Sequence, residues 1–339
     1  MAEFVSVSII IVSKNDSKNL EACLWHLNKQ DYPKSQIEIL VIDGGSTDNS
    51  RLVAKKFNAN FIDGGYSNNQ EARRYIGYQL AKNKILLYLD TDNFLVMQNV
   101  LKSILKVFDD SEVACSFTRW YGYTRKLNLV DRYFALLGGN DPVAYYLGKN
   151  DRCSYGEFNL PRGATLIKQA HGVDYVKFDI ENLPTIGCNG FAVRKTVFDK
   201  LELKSPLNFY HTDVHVDLIS KNPNLIYAIV GSEIVHASGL SLMRCIKKRI
   251  SYKSIHSNDF SKFRRYKVFN KDKKEDIVRL IFVNMLVLTV APLILFSIYK
   301  IIRTGKYEWI MHSLMTTGMV FGYSISIVKN FFNKLRSNK

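Results

Sequence analysis

The chain lacks the cysteine patterns of disulfide-bonded domains and of structural zinc sites. Its five cysteines are scattered along 339 residues, and no CxxC pair or group of cysteine and histidine has zinc-site spacing. A disulfide framework needs paired cysteines, and a zinc site needs ligands at short, regular spacing. We therefore expect free thiols in a reducing compartment.

No signal peptide is recognisable in the first residues. The first apolar run, residues 5–12, is short and no basic segment precedes it, whereas a secretory signal has both features. We expect the N-terminal body of the protein to stay in the cytoplasm.

Acidic residues are scarce in one part of the chain only. Residues 240–339 contain 20 Lys and Arg but 5 Asp and Glu, whereas residues 1–239 contain 27 and 26, so the formal charge of +16 is a C-terminal property. Beside apolar segments, a basic stretch indicates contact with anionic lipid headgroups. No nucleic-acid recognition motif accompanies it, so we expect no nucleic-acid partner. The alternative, DNA binding by residues 241–276, predicts a steep dependence on salt.

Strand-like and helix-like segments alternate through the first third of the chain. Apolar runs predict strands at residues 5–12, 37–42, 59–62 and 84–89, and helical periodicity predicts helices at 19–30, 50–57 and 70–81. Such alternation is typical of an α/β fold with a mostly parallel sheet flanked by helices. Residues 209–220 and 225–235 predict a further helix and strand. We expect residues 1–115 and 116–240 to be two halves of one domain.

Residues 241–276 are basic and amphipathic. Leu242, Ile246 and Ile250 recur at helical spacing among lysines and arginines. This pattern is typical of a helix that lies in a membrane interface.

Two uncharged segments follow in residues 277–339. Leu280 to Tyr299 is 20 residues long, enough to span a bilayer, and membrane helices tolerate a proline such as Pro292. Residues 309–328 form a weaker second segment. We expect a transmembrane hairpin with a cytoplasmic tail and the catalytic domain on the cytoplasmic face. One span plus an interfacial helix is the alternative.

Polar side chains follow three of the predicted strands. Asn15 and Asp16 follow the first, Asp43 ends the second, and Asp90 and Asp92 end the fourth. Because α/β proteins bind ligands at the carboxyl ends of their strands, these side chains should line one crevice. Two carboxylates there suit a divalent cation that holds a diphosphate. The alternative is that they only form turns and helix caps.

The order of these polar segments along the chain resembles the order of motifs in inverting family 2 glycosyltransferases with the GT-A fold, a Rossmann-like fold. The motifs that carry the resemblance are Lys14-Asn15-Asp16, Val41-Ile42-Asp43-Gly44-Gly45-Ser46-Thr47-Asp48, Ala72-Arg73-Arg74-Tyr75-Ile76-Gly77 and Asp90-Thr91-Asp92. The resemblance is strong over residues 1–115 and moderate over 185–240.

The resemblance implies roles for residues on the donor side. Asp43 would contact the nucleotide base, Asn15 or Asp16 the base or ribose, and Arg73 the diphosphate, which a guanidinium can bind through two oxygens. Gly44 stands where the family usually has a second acidic residue, and Arg74 stands where it usually has an Asn.

The resemblance also implies a metal site. Asp92 would bind Mg²⁺ or Mn²⁺, with Asp90 nearer the ribose. His236, at the end of a later predicted strand, would add a metal or phosphate contact. The ion would act as a Lewis acid on the departing nucleoside diphosphate.

The family's catalytic base is the Asp of a Glu-Asp pair that opens a helix. Asp213 matches that position, with Asp217 one helical turn later as the competitor. Thr212 stands where the Glu is usual, a departure from the pattern. Gly187 to Phe191 resembles the family's acceptor-side loop.

Together these features predict a membrane-anchored glycosyltransferase. The resemblance implies a nucleotide-sugar donor, and the anchor implies a lipid-linked acceptor, either a polyprenyl phosphate or a lipid-carried glycan. Alternatives are a processive polysaccharide synthase, which has no QxxRW motif to support it, and a non-catalytic nucleotide-sugar-binding membrane scaffold.

Overall fold

The structure is a computed structural model that describes residues 4–258 and 264–337. The strands in this part of the chain are β1 Val7–Ser13, β2 Ile37–Asp43, β3 Asn60–Asp63, β4 Ile85–Asp90, β5 Asn93–Phe94, β6 Val113–Tyr121, β7 Ala164–Ala170, β8 Val173–Phe178, β9 Phe191–Arg194 and β10 Ile226–His236. The helices are α1 Ser17–Asn28, α2 Ser50–Lys56, α3 Gln70–Leu80, α4 Val100–Lys106, α5 Leu129–Leu137, α6 Pro142–Tyr146, α7 Lys195–Asp199, α8 His211–Lys221, α9 Leu242–Asn258, α10 Lys274–Thr289, α11 Ala291–Thr304 and α12 Met311–Ser337. The strands and helices predicted for residues 1–115 are all present.

One continuous sheet joins the two predicted halves of the domain. Its strand order is β3-β2-β1-β4-β9-β6-β10-β8-β7, and the short β5 pairs with the end of β10. The pairings from β3 to β4 are parallel, as predicted. Beyond β4, β6 and β10 pair in parallel and the other described pairings are antiparallel. The sheet is therefore mixed.

The prediction of a mostly parallel sheet was wrong for the second half, and a tight connection accounts for one of its antiparallel pairings, that of β7 with β8. β7 and β8 are joined by His171 and Gly172, which have φ values of 51° and 75°. Two central residues with positive φ suit the tight turn of a hairpin, and a hairpin makes neighbouring strands antiparallel.

Helices cover both faces of the sheet. Leu20, Leu24 and Leu27 of α1 pack on one face together with α2 and α4. Residues of α3, α7 and α8, among them Phe198 and Leu218, pack on the other face. Buried apolar stripes on helices therefore hold the sheet between two cores, as the alternating pattern predicts.

The segment predicted to span a membrane as one helix is broken. α10 ends at Thr289 and α11 begins at Ala291, with an angle of 93° between the two helices. Pro292 has no N–H to donate and its ring crowds the preceding turn, which favours a break there. Among the described residues, no single helix has the length and apolar composition to cross a bilayer, although α10 and α11 taken together pass that test.

The predicted interfacial face of α9 is covered by protein. Ile246 is buried, and Leu242 and Ile250 are partly buried in the same cluster as Met315 and Met319 of α12. The helical spacing was predicted correctly, but its apolar stripe packs on α12 and does not face outward. Helix α9 ends at Asn258, and the predicted basic segment then includes residues 259–263, which lie outside the described residues.

The second uncharged segment, residues 309–328, docks on the domain through buried polar groups. His312 is bonded to the hydroxyls of Tyr133 and Tyr146 at 2.9 and 2.8 Å. Tyr323 donates to Asp141 at 2.6 Å. Such bonds compensate the burial of polar groups, so this helix is fastened to α5 and α6.

Candidate active site

A cavity of about 450 Å³ opens at the carboxyl ends of β1 and β4. Strand register brings these ends together, because Val12 pairs with Asp90 and Ser13 with Asp43. The polar side chains lining it include Asp16, Glu71, Arg74, Asp90, Thr91, Asp92, His211, Thr212, His236, Lys248, Arg249 and Arg264. Asp16, Asp90 and Asp92 therefore share one crevice, as predicted, whereas Asn15 and Asp43 do not belong to its lining. The cavity carries both acidic and basic groups.

Asp92 and His236 meet at the cavity although 144 positions separate them in the chain. β5 pairs His236 with Asn93, and the N–H of Ala237 donates to the Asp92 carbonyl at 2.8 Å. This pairing leaves His236 Nε2 3.3 Å from Asp92 Oδ2. Burial opposes charge on both groups, but their attraction raises the pKa of His236 and lowers the pKa of Asp92.

The Asp92 and His236 side chains fit a divalent cation by chemistry. A carboxylate oxygen and an imidazole nitrogen are ligands that Mn²⁺ accepts, and Mg²⁺ takes the carboxylate. Among the described residues, no group of three or more His, Cys, Asp or Glu side chains is arranged to hold an ion. The protein would thus supply two ligands and leave other positions for water or phosphate oxygens.

A chain of ion pairs crosses the cavity from Asp90 to His211. Arg74 donates to Asp90 Oδ1 and to Glu71 Oε1, each at 2.5 Å. Glu71 in turn contacts His211 Nδ1 at 2.7 Å and accepts its backbone N–H at 2.9 Å. Burial opposes the charge of Glu71, but Arg74 and His211 hold its pKa below the usual range.

Asn15 and Asp43 organise the loops behind the cavity. The Asp43 carboxylate accepts from the backbone N–H groups of Gly45 and Ser46 at 2.9 and 2.7 Å. Asn15 links its loop to the next one, because its N–H donates to Ser46 Oγ and its Oδ1 accepts from Thr47 N–H. Their side chains are therefore engaged in shaping the strand ends.

Asp16 lies closer to the cavity and belongs to its lining. Its two carboxylate oxygens accept from Asn19 at 2.9 Å and from Thr91 at 2.6 Å. The second bond joins the loop after β1 to the segment between Asp90 and Asp92.

Arg73 and Arg74 occupy different environments. The Arg73 guanidinium is buried, donates to the carbonyls of Tyr66 and Ser67 and lies against Gly44. A Cβ at Gly44 would meet this guanidinium, the flexible end of the Arg73 side chain, which would have to shift. Arg74, not Arg73, belongs to the cavity lining.

Asp213, the predicted base, lies outside the cavity lining and is fully buried. Its carboxylate accepts from Arg264 Nε at 3.0 Å and from the backbone N–H groups of Arg265 and Tyr266. Asp217 pairs with Arg265 at 2.5 and 2.6 Å. Both carboxylates of the predicted motif thus hold the segment that begins at residue 264.

Two further segments reach the cavity. Gly187, Cys188 and Asn189 of the acceptor-side loop line it, as do Lys248 and Arg249 of α9. Lys248 lies close enough to Asp92 to contribute to lowering its pKa. Lys248 and Arg249 therefore bring positive charge to the acidic strand end.

Sequence reasoning missed Glu71, Arg74, His211 and Arg264 as cavity residues. Arg74 was visible as a departure, because it stands where the family motif has Asn. His211 lies two residues before Asp213 in the same predicted helix start. Glu71 gave no signal by itself, since only the fold brings it to His211 across 140 positions.

Comparison with known proteins supports the family assignment. Residues 8–170, a little under half of the chain, match the family described as glycosyl transferase family 2. Glycosyltransferase AglE of Haloferax volcanii is 34% identical over 91 residues, which are 25% of this chain and 30% of that protein. The Methanococcus voltae dolichyl N-acetyl-alpha-D-glucosaminyl phosphate 3-beta-D-2,3-diacetamido-2,3-dideoxy-beta-D-glucuronosyltransferase is 46% identical over 50 residues, 15% and 16% of the two chains. The chain thus spans less than a third of the length of either relative.

A solved structure shares the fold over nearly the whole chain. The mannosyltransferase PcManGT from Pyrobaculum calidifontis, in complex with GDP-Man and Mn²⁺, has a TM-score of 0.56 and 12% identity, and the match covers 98% of this chain and 89% of that one. At this identity the likeness concerns the fold alone, and it supports a GT-A arrangement of sheet and helices.

Proposed function

We propose that this chain, whose residues 8–170 are a family 2 glycosyltransferase domain, transfers a sugar from a nucleotide-sugar donor to a lipid-linked acceptor. The reaction depends on Mg²⁺ or Mn²⁺ and inverts the anomeric carbon. The acceptor is a polyprenyl phosphate or a lipid-carried glycan.

The observation that carries the proposal is the pair of Asp92 and His236 at the strand ends of the cavity. A glycosyl transfer leaves a nucleoside diphosphate, whose growing negative charge a divalent cation neutralises when bound. Asp92 and His236 would hold that cation, and Lys248 and Arg249 would contact diphosphate oxygens. Asp16 and Asp90, which line the same cavity, would contact the ribose side of the donor.

Two observations support a lipid-linked acceptor. The Methanococcus voltae relative is named for transfer to a dolichyl-linked sugar phosphate. Helices α10 and α11 expose large apolar side chains, among them Leu288 and Ile302, which are 74% and 79% exposed. An exposed apolar surface of this kind is a membrane or protein contact, and the net positive charge of the C-terminal third favours an anionic lipid surface.

We place the catalytic domain on the cytoplasmic side of that membrane. All five cysteines are free and buried, and free thiols persist in reducing compartments. Protease protection in sealed vesicles tests this orientation, because a cytoplasmic domain is digested only from the cytoplasmic side.

Nucleotide binding with and without metal tests the donor side. Titration calorimetry of the purified full chain with GDP and UDP should give a measurable affinity with Mn²⁺ that EDTA abolishes. Mutating a residue that only hydrogen-bonds to a metal ligand typically lowers metal affinity about 10- to 100-fold. Replacing the ligand itself, in Asp92→Asn, should therefore weaken Mn²⁺-dependent nucleotide binding by at least tenfold. Asp109→Asn, at a side chain 57% exposed outside the cavity lining, is the control.

Equal nucleotide affinity with EDTA, or in Asp92→Asn, would contradict the metal assignment. Release of the nucleoside diphosphate from a nucleotide sugar separates an enzyme from a non-catalytic scaffold, which would bind the donor without turning it over.

A further inference from the structure

A second cavity, of about 250 Å³, lies where the end of α11 meets the globular part of the chain. We call it the C-terminal cavity. Leu136 of α5 lines it, whereas Phe134 of the same helix lines the cavity of the candidate active site, and no residue lines both. The two cavities are therefore separate sites that can be tested independently.

The wall of the C-terminal cavity is positively charged. Three of its lining residues are basic and one is acidic, a net charge of +2. Lys300 is buried, and its Nζ donates to Glu157 Oε1 at 2.7 Å and lies 4.8 Å from the centre of the Trp309 ring. Buried charges are normally paired in this way, so Lys300 and Glu157 form a fixed part of the wall.

Arg303 and Lys306 supply the uncompensated charge. Neither has a carboxylate partner in the part of the chain that the structure describes. The Arg303 guanidinium donates to the Tyr299 hydroxyl at 3.0 Å, and Lys306 Nζ lies 4.4 Å from the centre of the Tyr123 ring. Both contacts hold the cation in place and leave its charge available to an anion.

An exposed apolar stripe of α11 ends at this cavity. Leu295, Tyr299 and Ile302 follow one another at helical spacing and are 65%, 52% and 79% exposed. Arg303 comes one helical turn after Tyr299, at the end of the stripe. A positive cavity beside an apolar stripe matches a molecule that has an anionic head and an apolar chain.

We propose that the C-terminal cavity binds the phosphate of an anionic phospholipid headgroup, with the lipid chains along the exposed stripe of α11. Arg303 and Lys306 contact the phosphate oxygens, which an arginine can bind in pairs. A free phosphate ion has the same charge but would leave the apolar stripe uncovered. The inference rests on the membrane contact in the proposed function and not on the sugar transfer.

The first test removes the charge. The purified full chain is floated with phosphatidylcholine vesicles, with and without about one phosphatidylglycerol in three. Each basic residue near an anionic surface contributes about fivefold to binding, so the double variant Arg303→Gln and Lys306→Gln should bind the phosphatidylglycerol vesicles about 25-fold more weakly. Arg51→Gln with Lys55→Gln, at exposed positions of α2, changes the net charge equally and should bind like the wild type.

A second variant blocks the cavity without changing its charge. Thr304 lines the cavity and is exposed, so Thr304→Phe fills space without disturbing a buried core. Binding to phosphatidylglycerol vesicles should fall at least fivefold, since the headgroup no longer reaches the basic residues. Thr196→Phe, at an exposed position of α7, is the matched control. The Tm of each variant shows whether the fold is retained.

Soluble ligands separate a lipid from a free phosphate. A molecule that binds the folded state raises the Tm in proportion to its affinity. Dihexanoylphosphatidylglycerol below its micelle concentration should raise the Tm of the wild type but not of Thr304→Phe, and inorganic phosphate at equal concentration and ionic strength should not. An equal rise with both would overturn the assignment of a lipid.

Two results with vesicles would also overturn the inference. Wild-type binding by Thr304→Phe, or an equal loss in the Arg51 and Lys55 control, would show a diffuse attraction between charges in place of a site. If the wild type floats with neither kind of vesicle, the membrane contact in the proposed function fails as well. Mn²⁺-dependent nucleotide binding reports on the sugar transfer separately, because it depends on the other cavity.

Discussion

At the scale of single residues, the Asp213 carboxylate binds the segment that begins at residue 264. Three donors converge on its carboxylate, and Arg264, which also lines the cavity, is one of them. The motif position is therefore occupied by an acid, and its carboxylate fastens the segment that begins at residue 264.

Replacing Asp213 should lower the free energy of unfolding, and we expect this effect to come before any effect on the sugar transfer. Asp213→Asn leaves a partly buried arginine without its charged partner, and breaking such a pair costs roughly 3 kcal/mol or more. Asp217→Asn, on the same helix, breaks a more exposed pair, which is worth about 1 kcal/mol at most. Urea unfolding monitored by circular dichroism gives both values. An unchanged unfolding free energy together with a 100-fold lower kcat would show that Asp213 acts in the chemistry, as predicted for the base.

Arg73 and Arg74 show how far a sequence motif determines which side chain lines the cavity. Arg73 occupies the motif position, and the fold places it against Gly44 with its N–H groups on backbone carbonyls. Arg74, the departure from the motif, makes the ion pairs inside the cavity. One residue of difference along a helix rotates the side chain by about 100°, since there are 3.6 residues per turn, so the motif alone did not identify the cavity-lining cation.

At the scale of helices and strands, the packing of α9 on α12 decides where the basic segment lies. Gly318 and Gly322 of α12 form a GxxxG pattern against Ile246 and Ile250 of α9, and a Cβ at either glycine would overlap an isoleucine. Small residues four apart allow two helices to approach closely. The close approach brings Lys248 and Arg249 to the cavity.

A larger residue at Gly322 should therefore weaken both packing and diphosphate binding. Gly322→Val forces extra volume into a close contact, and such overpacking costs about 1–3 kcal/mol. Differential scanning calorimetry should show a lower Tm, and GDP affinity with Mn²⁺ should fall as Lys248 and Arg249 shift. Ser324→Ala, on the exposed side of α12, should leave both quantities unchanged. An unchanged Tm in Gly322→Val would show that the two helices do not pack as described.

At the scale of the whole molecule, the described chain has a globular part and an apolar surface beside it. The sheet and its helices carry the cavity, whereas α10 and α11 expose Ile281, Met285, Leu288, Leu295 and Ile302. The basic residues of the C-terminal third accompany this surface, a combination that suits an anionic membrane.

Apolar-to-polar changes on this surface should weaken vesicle binding. Burying one Leu or Ile side chain is worth roughly 1.5–3 kcal/mol, so the double variant Leu288→Gln and Ile302→Gln should bind vesicles at least tenfold more weakly. Flotation with vesicles containing one anionic lipid in three measures the effect. Leu52→Gln, at a side chain 66% exposed on α2, is the control. Equal flotation of the double variant and the wild type would rule out these side chains as the lipid contact.

The sequence by itself determined the parts of this protein that depend on local pattern. Apolar periodicity was enough to predict β1 to β4 and the helices between them, because each buried face repeats every two or 3.6 residues. The ends of β1, β2 and β4 were also predictable, since a parallel sheet brings the polar residues after its strands to one edge. Asp90 and Asp92 therefore lie in the cavity, as expected.

Only the tertiary structure decided what depends on distant partners. The break at Val290, the covered face of α9 and the burial of Asp213 follow from contacts with chain segments that local periodicity does not describe. The pairing of Glu71 with His211 is likewise a product of the fold, because α3 and α8, far apart in the chain, pack on the same face of the sheet. A side chain's charge and hydrogen-bond partners are set by its neighbours in space, and for this cavity most of those neighbours are far apart in the chain.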